Sequence, residues 1–175
     1  MGYDLEWVEL PPPVAAARDC FEAGLGCDHD VPCSETYHVL ADPFQFSLNL
    51  AGMEFCRDGM RRAAMTYAAE RPPFPDWPFA SWQDWCSAEP SRRADYLAAE
   101  RAVAAQTVAG MIGIPEFKFA SNDSWIVGAQ EICQALERYA VAPPALRAEL
   151  EADDLWCQWL RWLRETIDHG GFTVG

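Results

Sequence analysis

The chain has a single lysine. Lys118 stands against twelve arginines, and histidine is nearly as scarce, with three in 175 residues. Long apolar runs are missing too. The longest uncharged stretch, Ala102 to Pro115, is shorter than the roughly 20 residues that a membrane-spanning helix needs. At the start of the chain Asp4, Glu6 and Glu9 occupy the place where a secretory leader would carry a basic region and an apolar stretch. These absences point to a cytoplasmic protein with no membrane partner. There is no phosphate-cradling glycine loop, no HExxH and no GxSxG, so the common signatures of nucleotide hydrolysis, zinc proteolysis and serine hydrolysis are all lacking. The arginine-for-lysine bias, with abundant alanine, fits a high-GC coding genome.

What the sequence holds in excess is acid. Twenty-seven Asp and Glu face thirteen Lys and Arg, a net charge of -14. Residues 1–42 alone hold nine acids and one base, Arg18, and so carry -8 of that total. Such a field repels nucleic acid and speeds encounter with a basic protein surface. The odd count of seven cysteines argues against a complete disulfide framework, and a reducing compartment would keep them as thiols. Half the residues are hydrophobic and eight are tryptophan. A chain of this length suits one domain, 1–175, with a core of its own.

Periodicity gives the outline. "YDLEWVEL" alternates roughly and reads as a strand. In "PFQFSLNL" Phe44, Phe46, Leu48 and Leu50 fall on one side and Gln45, Ser47 and Asn49 on the other. After Gly52 the period changes, and Met53, Cys56, Met60 and Tyr67 mark a helical stripe. "RPPFPDWPFA" cannot be regular structure with its four prolines. Ser81 caps a short helix, and 90–113 reads as a long Ala-rich helix capped by Ser91 and stopped by Gly113. "EFKF" and "SWIV" around "ASND" predict a hairpin of Phe117–Phe119 with Trp125–Val127. A helix through Ile132, Leu136 and Tyr139 follows, then one from about Asp153 to His169 with Trp156, Leu160, Leu163 and Ile167 in register, and "FTV" adds a last strand. The expected fold is α+β: a small, mostly antiparallel sheet covered by five or six helices.

Several constellations could carry chemistry. "CDHDVPC" places two thiols, an imidazole and two carboxylates in seven residues. A zinc ion held there would take Cys27, His29, Cys33 and His38. None of the spacings is the short Cys-x-x-Cys knuckle of structural zinc sites, and an acidic loop with packed cysteines is the competing reading, so no cofactor is favoured. Cys56 follows a strand-turn-helix junction where a helix N-terminus favours thiolate, but it also shares the apolar stripe. His169 ends a helix, where a cation suits the dipole. With Asp123, these are the only catalytic candidates, and none has a partner the sequence can place beside it. Two stretches suggest binding. Lys118, Asn122, Asp123 and Trp125 form either a tight turn or a polar-aromatic lip. The segment 71–85, with Trp77 and Trp82, holds more large rings than a solvated loop needs.

"FSLNLAGM", "KFASNDSWIVGAQEI" and "WLRWLRETIDHGGFTV" together resemble a group of small proteins of actinobacteria and their phages, with a strand ending near "LN-x-x-GM", then "SNDGW" and "HGGF". Ser124 stands where that pattern has glycine. The resemblance implies origin and fold and carries no activity. The function expected is that of an acidic protein-binding factor of inhibitor, immunity or counter-defence type, meeting a partner with a basic surface. A small-molecule enzyme or binder is the alternative, with a pocket gathering Asn49, Cys56, Asn122, Asp123, Trp125 and His169.

Overall fold

The computed structural model describes residues 2–12, 14–16 and 44–175. The "CDHDVPC" cluster and His38 lie outside the described residues. Four strands form an antiparallel sheet: β1 (Gly2–Trp7), β2 (Gln45–Asn49), β5 (Trp125–Gly128) and β6 (Gly171–Val174), in the spatial order β2-β1-β6-β5. Two short pieces, β3 (Thr66–Tyr67) and β4 (Ile114–Pro115), pair in parallel beside it. With helices interleaved along the chain, the fold is α+β, as the periodicity implied.

Alternation fixes the sheet's two faces. Tyr3 and Leu5, Leu48, Trp125 and Val127, and Phe172 and Val174 point inward and are buried. Asp4 opposite Ser47, and Glu6 between Gln45 and Thr173, lie on the outer face. A one-residue slip of β1 would put both carboxylates into the core, so register is strongly specified. β6 sits in the middle of the sheet, with Leu5 paired to Val174 and Val127 to Phe172. Gly171 faces Gly128 across the β5–β6 ladder with φ 101°. A Cβ at Gly171 would run into the Val127 carbonyl, so only glycine closes this corner.

Three helices cover the inner face. α1 (Leu50–Arg62) starts at Asn49, whose Oδ1 accepts the Gly52 N–H at 2.7 Å. It buries Met53, Cys56, Gly59 and Met60. α4 (Ala129–Ala140) buries Ile132, Ala135 and Tyr139. α6 (Asp154–Thr166), capped by Asp153, buries Trp156, Trp159, Leu160, Trp162 and Leu163. A Cβ on Gly59 would come within 2.5 Å of the Trp156 ring, so the glycine is what lets α1 and α6 approach. α5 (Pro144–Glu151) links α4 to α6. Two further helices are α2 (Trp82–Ser87) and α3 (Pro90–Ala104), and α3 meets β5 from the outer side of the sheet.

Four expectations are corrected. Residues Glu116–Phe119 form a 3-10 turn that buries Phe117, Lys118 and Phe119 together, so there is no hairpin. α1 ends at Arg62, and Tyr67 belongs to β3. Leu50 opens α1 and is exposed instead of continuing the strand's apolar side. α3 stops at Ala104 instead of reaching Gly113 and begins at Pro90 behind Glu89, without a serine cap. Two distant side chains bind the backbone past its end: the Val108 N–H donates to Tyr67 Oη at 3.3 Å and the Gly113 N–H to Gln134 Oε1 at 3.1 Å.

Candidate binding site

The lone lysine points inward. Lys118 is 0% exposed, and its ammonium donates to the Ile126 carbonyl at 2.6 Å and to both oxygens of Glu131 at 2.9 and 2.8 Å. Glu131 also accepts the Gly128 N–H at 2.8 Å, closing the first turn of α4. Burial draws the lysine below its ordinary range and pushes the carboxylate above its own, while each partner opposes the shift in the other. All three donors of the ammonium are used, so the pair ties the 3-10 turn to β5 and α4. Trp125 is 0% exposed as well, packed between Phe74 and Phe117 at centroid distances of 4.7 and 4.8 Å. Of the expected lip, only Asn122 and Asp123 reach the surface. Asn122 donates to the Gly2 carbonyl at 2.7 Å, and Asp123 binds Arg71 at 2.9 Å and accepts from the Ser121 hydroxyl. Ser124 adopts φ 57°, the left-handed backbone that glycine takes at least cost.

The catalytic candidates are not gathered. Cys56 is buried, and desolvation, followed by the charge of Asp153, raises its thiol to about 12. It is a neutral core thiol, the reverse of the activated thiolate that a helix N-terminus could supply. His169 lies at the other end of β1, stacked on Trp7 with 3.6 Å between ring centroids. Asn49 is spent as a cap. Among the described residues no group of three His, Cys, Asp or Glu is placed to hold a metal ion.

Trp77 and Phe79 of the Pro-aromatic segment form a second aromatic cluster with Trp82, Trp85 and Tyr96 of the two helices after it, while Phe74 of the same segment packs on Trp125 of the main core. Trp77 lies 5.0, 5.2 and 5.2 Å from Phe79, Trp85 and Tyr96. The Arg92 guanidinium sits 4.5 Å over the Phe79 ring and Arg93 lies 5.9 Å from Trp85. Ser81 caps α2 as its position suggested, accepting the Asp84 N–H at 3.1 Å. This arm buries Phe79 and, at the root of α3, Ala104. Trp82 stays 66% exposed, Trp77 46% and Leu97 51%.

Where α3 returns over the outer face of the sheet it leaves a groove of about 660 Å³. Asp4, Glu6, Gln45 and Thr173 form the sheet side, and Leu97, Glu100 and Arg101 the helix side; Phe74, Ile126 and Asp123 also line it. Asp4 accepts from the Ser47 hydroxyl at 2.7 Å, Glu6 from the Gln45 amide at 3.3 Å, and Glu100 from the Tyr96 hydroxyl at 2.7 Å. A carboxylate has about four acceptor positions, so these contacts exhaust neither Asp4 nor Glu100. A smaller cleft of about 590 Å³ lies under the loop 105–113, against Tyr67, Glu131 and Gln134. The outward parity of Asp4 and Glu6 was readable in "YDLEW". Nothing local announced that Glu100 and Arg101 would stand opposite.

No protein-family model, no curated protein and no solved structure matches the chain. Among the described residues no helix is long and apolar enough to cross a membrane.

Proposed function

We propose that the chain acts by occupying another protein, in the manner of an inhibitor, immunity or counter-defence factor, and that the arm 77–97 is its anchor. One observation carries this reading. Trp77 in the Pro-aromatic segment, Trp82 on α2 and Leu97 on α3 are exposed, and both tryptophans are held against Trp85 of the arm's own aromatic cluster. Large rings fixed in position and left open to solvent are the usual anchors of protein interfaces, because little side-chain freedom is lost on contact. The charge of -14 favours a partner with a basic surface and speeds its approach. Charges within the arm itself nearly balance: Arg92 and Arg93 stand against Asp84, Glu89 and Asp95. The arm therefore supplies apolar contact and the rest of the chain supplies the field.

The test is capture from the native host with the intact chain and with Trp77→Ala/Trp82→Ala, both checked for unchanged circular dichroism. A partner recovered in stoichiometric amount by the intact chain and lost from the double variant supports the reading. Equal recovery by the two overturns the arm as anchor.

A further inference from the structure

The cleft under the loop 105–113 has walls of two kinds. Its volume of about 590 Å³ falls inside the range of small-molecule sites. Tyr67 and Gln134 line it, and both pin the loop: Tyr67 Oη accepts the Val108 N–H and Gln134 Oε1 accepts the Gly113 N–H. Each spends only an acceptor on that task. Among the described residues nothing takes the Tyr67 hydroxyl proton or the Gln134 amide N–H groups. Burial raises the Tyr67 hydroxyl above its ordinary range, against the Val108 contact and with the help of the Glu131 charge, so it keeps that proton. The loop brings an apolar wall, with Val108, Met111 and Ile112 39, 44 and 47% exposed around the same space. Among the described residues that line the cleft, Glu131 alone is charged. Lys118 neutralises it, and Lys118 and the Gly128 N–H take three of its roughly four acceptor positions. An anion entering here would lose water beside a carboxylate, and a cation would find that carboxylate already paired.

We propose that this cleft binds a small uncharged molecule that carries a carbonyl group on an apolar body. The carbonyl oxygen accepts from the Gln134 amide, and the Tyr67 hydroxyl is the second donor for a molecule with two acceptors. The apolar body covers Val108, Met111 and Ile112. Burial of those side chains supplies most of the affinity, and the open donors select for an acceptor. The inference goes beyond partner binding and stands whether or not a partner is captured.

The experiment titrates the intact chain with acetophenone, and with benzoate and benzylammonium as charged probes of similar size, and follows backbone and side-chain amide shifts by NMR. The expected result is saturable shifts at Val108, Ile112, Gly113 and Gln134, half complete at roughly 10 mM or below for so small a probe. Both charged probes should bind weaker by about fivefold or more. Gln134→Glu keeps an acceptor for the Gly113 N–H and removes the amide donors, so it should weaken acetophenone by about threefold to tenfold. Ile112→Ser, at an exposed position, shrinks the apolar wall and should weaken it by a similar factor. Equal binding of the three probes, shifts centred outside the loop and α4, no approach to saturation by roughly 20 mM, or unchanged affinity in either folded variant overturns the proposal.

Discussion

The eight tryptophans are put to two uses. Trp125, Trp156, Trp159 and Trp162 are buried between sheet and helices, with Trp7 packed at their margin. Trp77 and Trp82 each pack on Trp85, which also carries Arg93 over its ring. The same residue type thus builds the core in one region and presents a rigid face in the other. In the core a ring is worth the water it excludes. In the arm much of that gain is still available, to be realised against something else.

Stability measurements can break this comparison. Trp159→Ala should cost about 3–5 kcal/mol, the usual range for deleting a buried indole, read as a shift in the denaturant midpoint. Lys118→Met should cost a similar amount, about 3–5 kcal/mol, because it leaves Glu131 buried without its counter-charge. The double variant Lys118→Met/Glu131→Gln should recover most of that loss, since no charge remains buried and the amide oxygen can still accept from Gly128. A double variant no more stable than Lys118→Met would mean that the charge itself is not the cost. Gly59→Val, which drives side-chain atoms against the Trp156 ring, should cost about 1–3 kcal/mol.

Cys56 sharpens the same contrast through pH. Its thiol is raised to about 12 in the folded chain, so the folded state favours the neutral form. The stability this supplies is complete below the ordinary thiol range and is lost as pH rises toward about 12. The difference in unfolding free energy between the native chain and Cys56→Ala should therefore be flat at neutral pH and shrink in alkali; a pH-independent difference would refute it. Least affected should be Trp82→Ala, at about 0.5 kcal/mol or less. A loss matching that of Trp159→Ala would place the arm in the core and remove the basis for reading it as a docking element.

The sheet and the helical stripes were legible because burial on one face imposes a period, and Phe46–Leu48, Met53–Cys56–Met60 and Trp156–Leu160–Leu163 all show it. "EFKF" misled for a physical reason. Its charge-aromatic alternation is that of a strand, but a 3-10 turn can bury Phe117, Lys118 and Phe119 together when Glu131, thirteen residues on, satisfies the lysine. The end of α3 was invisible for a related reason: Tyr67 and Gln134, remote in sequence, take the N–H groups that further helix would have used. The groove was half legible. Its sheet wall follows from strand parity, and its helix wall follows only from where α3 is carried.

The position of β6 reaches beyond packing. The strand at the middle of the sheet pairs Val174 with Leu5, so nearly the whole sequence separates partners that share one ladder. Closing so large a loop costs entropy before any contact repays it, and the sheet stays split between β1–β2 and β5 until that closure happens. The helices rest on local contacts and can gather before that closure, whereas the β1–β6 ladder cannot. A permuted chain that links β6 directly to β1 would turn the slowest encounter into the nearest one, and should fold faster without altering a single core contact.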